Sequence, residues 1–91
     1  MRTPVWRVEF DDVAAKELRK LGGGDRHQIL RYLRTRIATS YDPRRLGKPL
    51  LGDWQGFWRY RVGDFRIIAK IKEDRFVVFV VRIGHRRLVY E

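Results

Sequence analysis

The chain has no cysteine, two histidines, one methionine and three prolines, and its charge is heavily of one sign. Without cysteine there are no disulfides, no thiolate nucleophile and no cysteine-based zinc site. The two histidines, His27 and His85, form no His/Asp/Glu spacing of a metal-binding kind, so neither a metal nor a cofactor is expected. Long apolar runs are also missing. The longest covers residues 76–81, far short of the roughly 20 residues that a membrane span needs. The opening Met-Arg-Thr-Pro is not followed by the apolar stretch of a signal peptide. The expectation is a cytoplasmic protein with no membrane contact. Gly22-Gly23-Gly24 is followed by no Walker pattern, and no serine nucleophile elbow is present.

What remains is compact and basic. Ninety-one residues, 44% of them hydrophobic, suit one small domain, 1–91, with a real core. A domain of this size buries a modest fraction of its surface, so its stability margin is thin. Twenty-one basic and 11 acidic side chains give a net charge of +10, and sixteen of the basic residues are Arg. Arginine is preferred where phosphate is gripped in a bidentate fork, although a GC-rich genome also favours its codons. The net charge itself points to a nucleic acid or to an acidic protein partner.

The hydrophobic pattern gives the order β-α-α-β-β-β. In residues 4–10, Trp6, Val8 and Phe10 alternate with Val5, Arg7 and Glu9, which reads as a strand. Asp11 or Asp12 is a good N-cap for a helix over 13–21, in which Ala14, Leu18 and Leu21 share a face. The three glycines are expected to end that helix in a left-handed turn. Asp25 is expected to cap a second, longer helix with an apolar stripe of Ile29, Leu30, Leu33 and Ile37. Arg26, Arg31, Arg34 and Arg36 lie mostly off that stripe and read first as a solvated face. Residues 40–56 form a turn-rich connection that Leu46, Leu50, Leu51 and Trp54 should pin to the core. Strands over 57–62, 64–72 and 76–83, joined by short turns at Gly63-Asp64 and Glu73-Asp74, make an antiparallel meander. The last is apolar on both faces and should be central. The fold class is α+β, a helical hairpin packed on a small, mainly antiparallel sheet.

Alternation separates the two faces of the meander. Trp58, Tyr60 and Val62 fall on one side, and Phe57, Arg59 and Arg61 on the other. Phe65, Ile67, Ala69 and Ile71 oppose Arg66, Ile68 and Lys70. If the apolar set lies under the helices, Arg59, Arg61 and Arg66 emerge together, with Arg82 and Arg86 following from the last strand and its end. Like charges at that density repel one another unless an anion binds. His85 is the one group in this stretch that exchanges protons near neutral pH. Tyr90 suits stacking on a base, or equally a hydrophobic anchor for the chain end. Arg44, Arg45, Lys48, Lys70, Arg82 and Arg87 complete the expected RNA-binding set.

At Trp58-Arg59-Tyr60-Arg61-Val62-Gly63-Asp64-Phe65-Arg66-Ile67-Ile68 and Gly84-His85-Arg86-Arg87-Leu88-Val89-Tyr90 the chain resembles the RelE-type toxins, specifically the RelE/StbE branch of the RelE/ParE toxin superfamily. Phe10-Asp11, Ala15-Lys16-Glu17-Leu18-Arg19-Lys20-Leu21 and Gly47-Lys48-Pro49-Leu50 extend the likeness over nearly the whole chain. The resemblance implies the toxin of a type II toxin–antitoxin system. Such a toxin is a ribosome-dependent endoribonuclease that cuts mRNA in the ribosomal A site by attack of the 2′-hydroxyl, and so inhibits translation. Implied partners are the ribosome, its mRNA and an acidic, RelB-like cognate antitoxin. Operator DNA would be met only through the antitoxin complex.

By motif, Arg59, Arg61, Arg66, Arg86 and Tyr90 are the implied catalytic positions, with His85 added as a candidate base. RelE has lysines where this chain has Arg59 and Arg61. Arginine does not give up its proton in proteins. These two therefore suit phosphate binding and transition-state charge, and the general base is expected to be His85, with Tyr90 second. The chain stops just after Tyr90, without the longer C-terminal helix of some relatives. The alternative function is a ParE-like toxin that binds DNA gyrase without cutting RNA. Such chains usually lack the basic set and the Gly-His-Arg…Tyr ending.

Overall fold

The computed structural model describes residues 3–85. Strand β1 (Arg7–Phe10) leads into helix α1 (Asp12–Arg19), then helix α2 (Gly23–Tyr32), which runs on into a π-helical turn at Leu33–Ile37. A two-residue strand β2 (Lys48–Pro49) precedes the meander of β3 (Trp58–Val62), β4 (Phe65–Lys72) and β5 (Val77–His85). The five strands form one sheet in the order β1-β5-β4-β3-β2. The meander is antiparallel, and β1 joins it parallel to β5. Two helices on a mixed, mainly antiparallel sheet make the α+β architecture that the pattern implies. As its doubly apolar composition requires, β5 lies inside the sheet.

The core is a single layer between sheet and helices. Ala14, Leu18, Ile29, Leu33 and Ile37 meet Trp6, Tyr60, Val62, Ile67, Ala69, Val78, Val80 and Ile83. Alternation in β3 and β4 sorts the faces as expected. Leu30 and Leu51, by contrast, are exposed. In α2, residues four apart drift around the cylinder by about 40° per step. Ile29, Leu33 and Ile37 keep one line because the chain widens to a π turn, with the Ala38 N–H donating to the Leu33 carbonyl at 2.8 Å.

The helix junction differs from expectation. Asp11 does cap α1, its carboxylate accepting from the Asp12 N–H at 2.7 Å. The three glycines, however, form no left-handed turn. Gly22 is the N-cap of α2, with φ −60°, and Gly23 and Gly24 lie inside the helix. Asp25 is therefore a first-turn residue, favourable to the helix dipole, and not the cap. Arg26 closes α1 instead, its guanidinium donating to the carbonyls of Leu21 and Arg19 at 3.4 and 3.5 Å.

Two features set the far end of β5. The pairing slips between Ile68, opposite Arg82, and Ala69, opposite Val80, so Val81 is an extra residue, a bulge. The bulge reverses the alternation beyond it. Ile83 turns to the core and Arg82 away from it. In addition, β1 stops opposite Val80, leaving the next part of the β5 edge open. Glu17 of α1 fills it, accepting from the Ile83 N–H at 2.9 Å and from Arg82 at 3.0–3.2 Å.

Tyr60, fully buried in β3, ties the 43–47 connection to the sheet. Its hydroxyl donates to the Pro43 carbonyl at 2.8 Å. Gly47 lies over its ring, where an added Cβ would sit 3.1 Å from the ring carbons. Burial pushes the Tyr60 phenol far above its ordinary range, with Tyr32 and Asp42 adding to the rise and Arg44 and Arg45 opposing it. Tyr32 is raised as well, by burial, against the pull of Arg36 and Arg45. In the unfolded chain a phenol ionises near pH 10, at roughly its reference value. The stability these phenols contribute is therefore complete below about pH 10 and lost as pH climbs above it. Melting temperature should fall on that alkaline side, and Tyr60→Phe should flatten the fall. The same variant should cost about 1–2 kcal/mol at neutral pH, since the Pro43 carbonyl loses its donor. An alkaline slope unchanged in Tyr60→Phe would contradict this account.

Candidate functional site

The face of the sheet away from the helices carries the cations. Directly paired residues in antiparallel strands share a face, with Cα atoms about 4.5–5.5 Å apart. Arg61 pairs with Arg66, Arg59 with Ile68, and Lys48 of β2 with Arg59. Lys48, Arg59, Arg61 and Arg66 therefore form one strip across three strands. Arg61 is exposed, Arg59 is half-buried and Arg66 is only 6% exposed. The Nε atoms of Arg59 and Arg66 are shielded from solvent. Gly84 stands opposite Arg66 in β5, so no side chain rises on that flank. The turn that aims Arg61 and Arg66 is a two-residue hairpin, Gly63-Asp64, with Gly63 at φ +57°, a value that favours glycine.

The rest of the expected set divides. Lys70 lies on the same face, about 13 Å along β4 from Arg66 at strand rise, its ammonium 5.9 Å from the Phe57 ring centroid. Arg44 is drawn to the other end of β4, bridging Asp42 and Glu73 at 3.2 Å each. That is about 23 Å from Arg66 along the strand. Arg45 is spent on backbone, donating to the carbonyls of Asp42 and Arg36 at 3.1 Å. Arg82 grips Glu17 at the β5 edge. The expected convergence of five guanidinium groups therefore does not include Arg82, and Arg44 and Arg45 hold the connection in place.

His85 is a further correction. It pairs with Phe65, and the two rings meet edge-on at 5.9 Å. Phe65 packs against the core, so the Val81 bulge has turned His85 toward the helix side, away from Arg61 and Arg66. Arg86, Arg87 and Tyr90 lie outside the described residues.

One feature escaped the sequence reading. An open cleft of about 410 Å³ separates α2 and its π turn from the end of β3, lined by Gln28, Arg31, Tyr32, Thr35, Arg36, Arg61, Val62 and Gly63. Arg31 and Arg36 are five apart, which on a straight α-helix turns them about 140° from one another. The π turn rephases the helix so that both reach the cleft. Only Arg61, already singled out, marked the place.

The family model described as the ParE toxin of type II toxin–antitoxin systems, parDE, matches residues 8–90. The toxin RelG of Mycobacterium tuberculosis is 27% identical over 85 residues, covering 93% of this chain and 95% of RelG. The toxin–antitoxin complex RelBE2 of the same organism contains a chain of TM-score 0.83 and 25% identity, with 93% and 95% of the two chains covered. The archaeal RelE–RelB complex of Pyrococcus horikoshii shares the fold at TM-score 0.67 and 20% identity, over 92% of this chain and 98% of that one. A match of this extent, on a fold built as the strand pattern requires, leads to one conclusion: the chain belongs to the ParE toxin family of type II toxin–antitoxin systems and is a RelE-type toxin.

Proposed function

We propose that this toxin is a ribosome-dependent endoribonuclease that cuts mRNA in the ribosomal A site. The observation that carries the reading is the strip of Lys48, Arg59, Arg61 and Arg66, three strands wide, on the face of a RelE-type fold that looks away from the helices. In the reaction the 2′-oxygen attacks the adjacent phosphorus as its proton leaves. The P–O5′ bond breaks, the 5′-oxygen takes up a proton, and a 2′,3′-cyclic phosphate and a 5′-hydroxyl result. Negative charge grows on the phosphoryl oxygens in between. Fixed guanidinium groups are suited to meet it, since they are already oriented and need no reorganisation as the charge develops. Arg61 and Arg66 would take those oxygens, with Arg59 and Lys48 holding the neighbouring phosphate. Arg86 and Tyr90 keep the roles that the family motif suggests.

His85 is not carried forward as the base, because its ring lies against Phe65 on the other side of the sheet. His85→Ala should keep cleavage within about tenfold of the unaltered toxin, which the loss of one positioned acid–base group would far exceed. A loss of a thousandfold would restore it to the site. An acidic antitoxin is the proposed protein partner, supported by the toxin–antitoxin complexes that share the fold and by the net charge of +10. The test of the function is 5′-end mapping of cellular mRNA after induction. Cuts phased with codons are expected. Growth arrest with DNA breaks at gyrase and intact messages would overturn the reading in favour of the gyrase poison.

A further inference from the structure

We propose that the cleft between α2 and the end of β3 holds the phosphodiester backbone of the RNA strand on one side of the cut, with Arg31 and Arg36 as its clamps. The inference rests on the nuclease reading for the identity of the strand and on the cleft itself for everything else. Three arginines, Arg31, Arg36 and Arg61, line a cavity of about 410 Å³, within the range of small-ligand sites. Among the described residues no carboxylate lines it. Arg61 belongs at once to this cleft and to the cationic strip, where it pairs with Arg66. A strand whose phosphate lies between Arg61 and Arg66 therefore has a continuous cationic path into the cleft.

Two close contacts shape the cleft. Gly63 approaches Gln28 so closely that an added Cβ would lie 3.0 Å from the Gln28 amide nitrogen. The Thr35 hydroxyl donates to the Arg31 carbonyl at 2.7 Å, which holds the turn that presents Arg36. An acidic protein segment would also be drawn to three arginines. Protein interfaces, however, centre on an apolar core, and Val62 is the one aliphatic residue in the lining. Forked donors around a polar cleft suit phosphate.

The test compares two double variants that each remove two positive charges from the full chain. R31Q/R36Q empties the cleft of its helix-borne arginines. R19Q/R34Q alters two exposed arginines that do not line it. Binding is measured on a short single-stranded RNA made uncleavable by 2′-O-methylation, over a range of salt, with circular dichroism to confirm the fold. R31Q/R36Q is expected to weaken binding roughly tenfold or more. It should also reduce the slope of log K against log salt by about 1.4, the share of two phosphate contacts on a single strand. R19Q/R34Q should change both far less. Equal losses in the two variants would reduce the cleft to general charge and overturn the proposal, as would no measurable binding by the unaltered protein. Undiminished RNA binding by R31Q/R36Q, with weakened binding of an acidic antitoxin, would make the cleft a protein site and overturn it too. Cleavage does not enter this measurement. An RNA gripped through Arg31 and Arg36 but never cut in cells would leave the clamp standing and remove the nuclease reading alone.

Discussion

Arg61→Ala is expected to lower message cleavage by about 10²–10³-fold, the usual cost of removing one preorganised donor to a developing oxyanion. The side chain is exposed, so no core contact is lost with it. It also faces Arg66 across the β3–β4 ladder, and removing one of two opposed like charges relieves a repulsion. Stability should hold or rise slightly, which separates a chemical defect from a folding one. The rate is read from codon-phased 5′ ends after induction and from initial rates on programmed ribosomes, and stability from thermal melting. Arg61→Lys should fall between the two, because the charge remains while the planar fork is lost. Codon-phased cutting that persists in Arg61→Ala would take this residue, and the strip as argued, out of the reaction.

Tyr60→Ala should produce the largest loss of stability of any substitution in β3, about 3–5 kcal/mol by comparison with other buried aromatics. The ring is fully buried. It packs beneath Gly47 and its hydroxyl holds Pro43. Both the sheet and the connection leading to Lys48 lean on it. A small domain has about 5–15 kcal/mol in all, so such a loss would move the melting temperature by something on the order of 20 °C. Because Tyr60 sits between Arg59 and Arg61 on the opposite face of the same strand, the strip should loosen along with the core. Chemical denaturation with the slope m unchanged and the midpoint lowered is the expected signature. A shift of only a few degrees would mean that the core can close over the missing ring.

The parts of the molecule that were legible in the sequence are those governed by strict alternation. In β3 and β4 every second residue is apolar, and period two assigned Tyr60 and Ile67 to the core and Arg59, Arg61 and Arg66 to the face away from the helices. The parts that were not legible are those where one residue too many changes the phase. Val81 bulges from an unbroken apolar run, in which no polar residue marks the slip, and so His85 landed on a side that counting could not assign, while Arg82, which does face away from the core, is held at the β5 edge by Glu17. The π turn at Leu33–Ile37 leaves no compositional trace either, and with it went the cleft and the use of Arg31 and Arg36. The glycine triplet misled for a related reason. Glycine permits a left-handed turn without demanding one, and here the guanidinium of Arg26 closes α1 instead.

The parallel seam between β1 and β5 joins Arg7 to Val77, about seventy residues away along the chain. β1 cannot enter the sheet until the carboxyl third has been synthesised, and the entropic toll of closing so wide a loop falls on the folding rate. Truncation before residue 77 should therefore yield not a weakened toxin but an unfolded polypeptide. During translation, folding competence should arrive late and all at once.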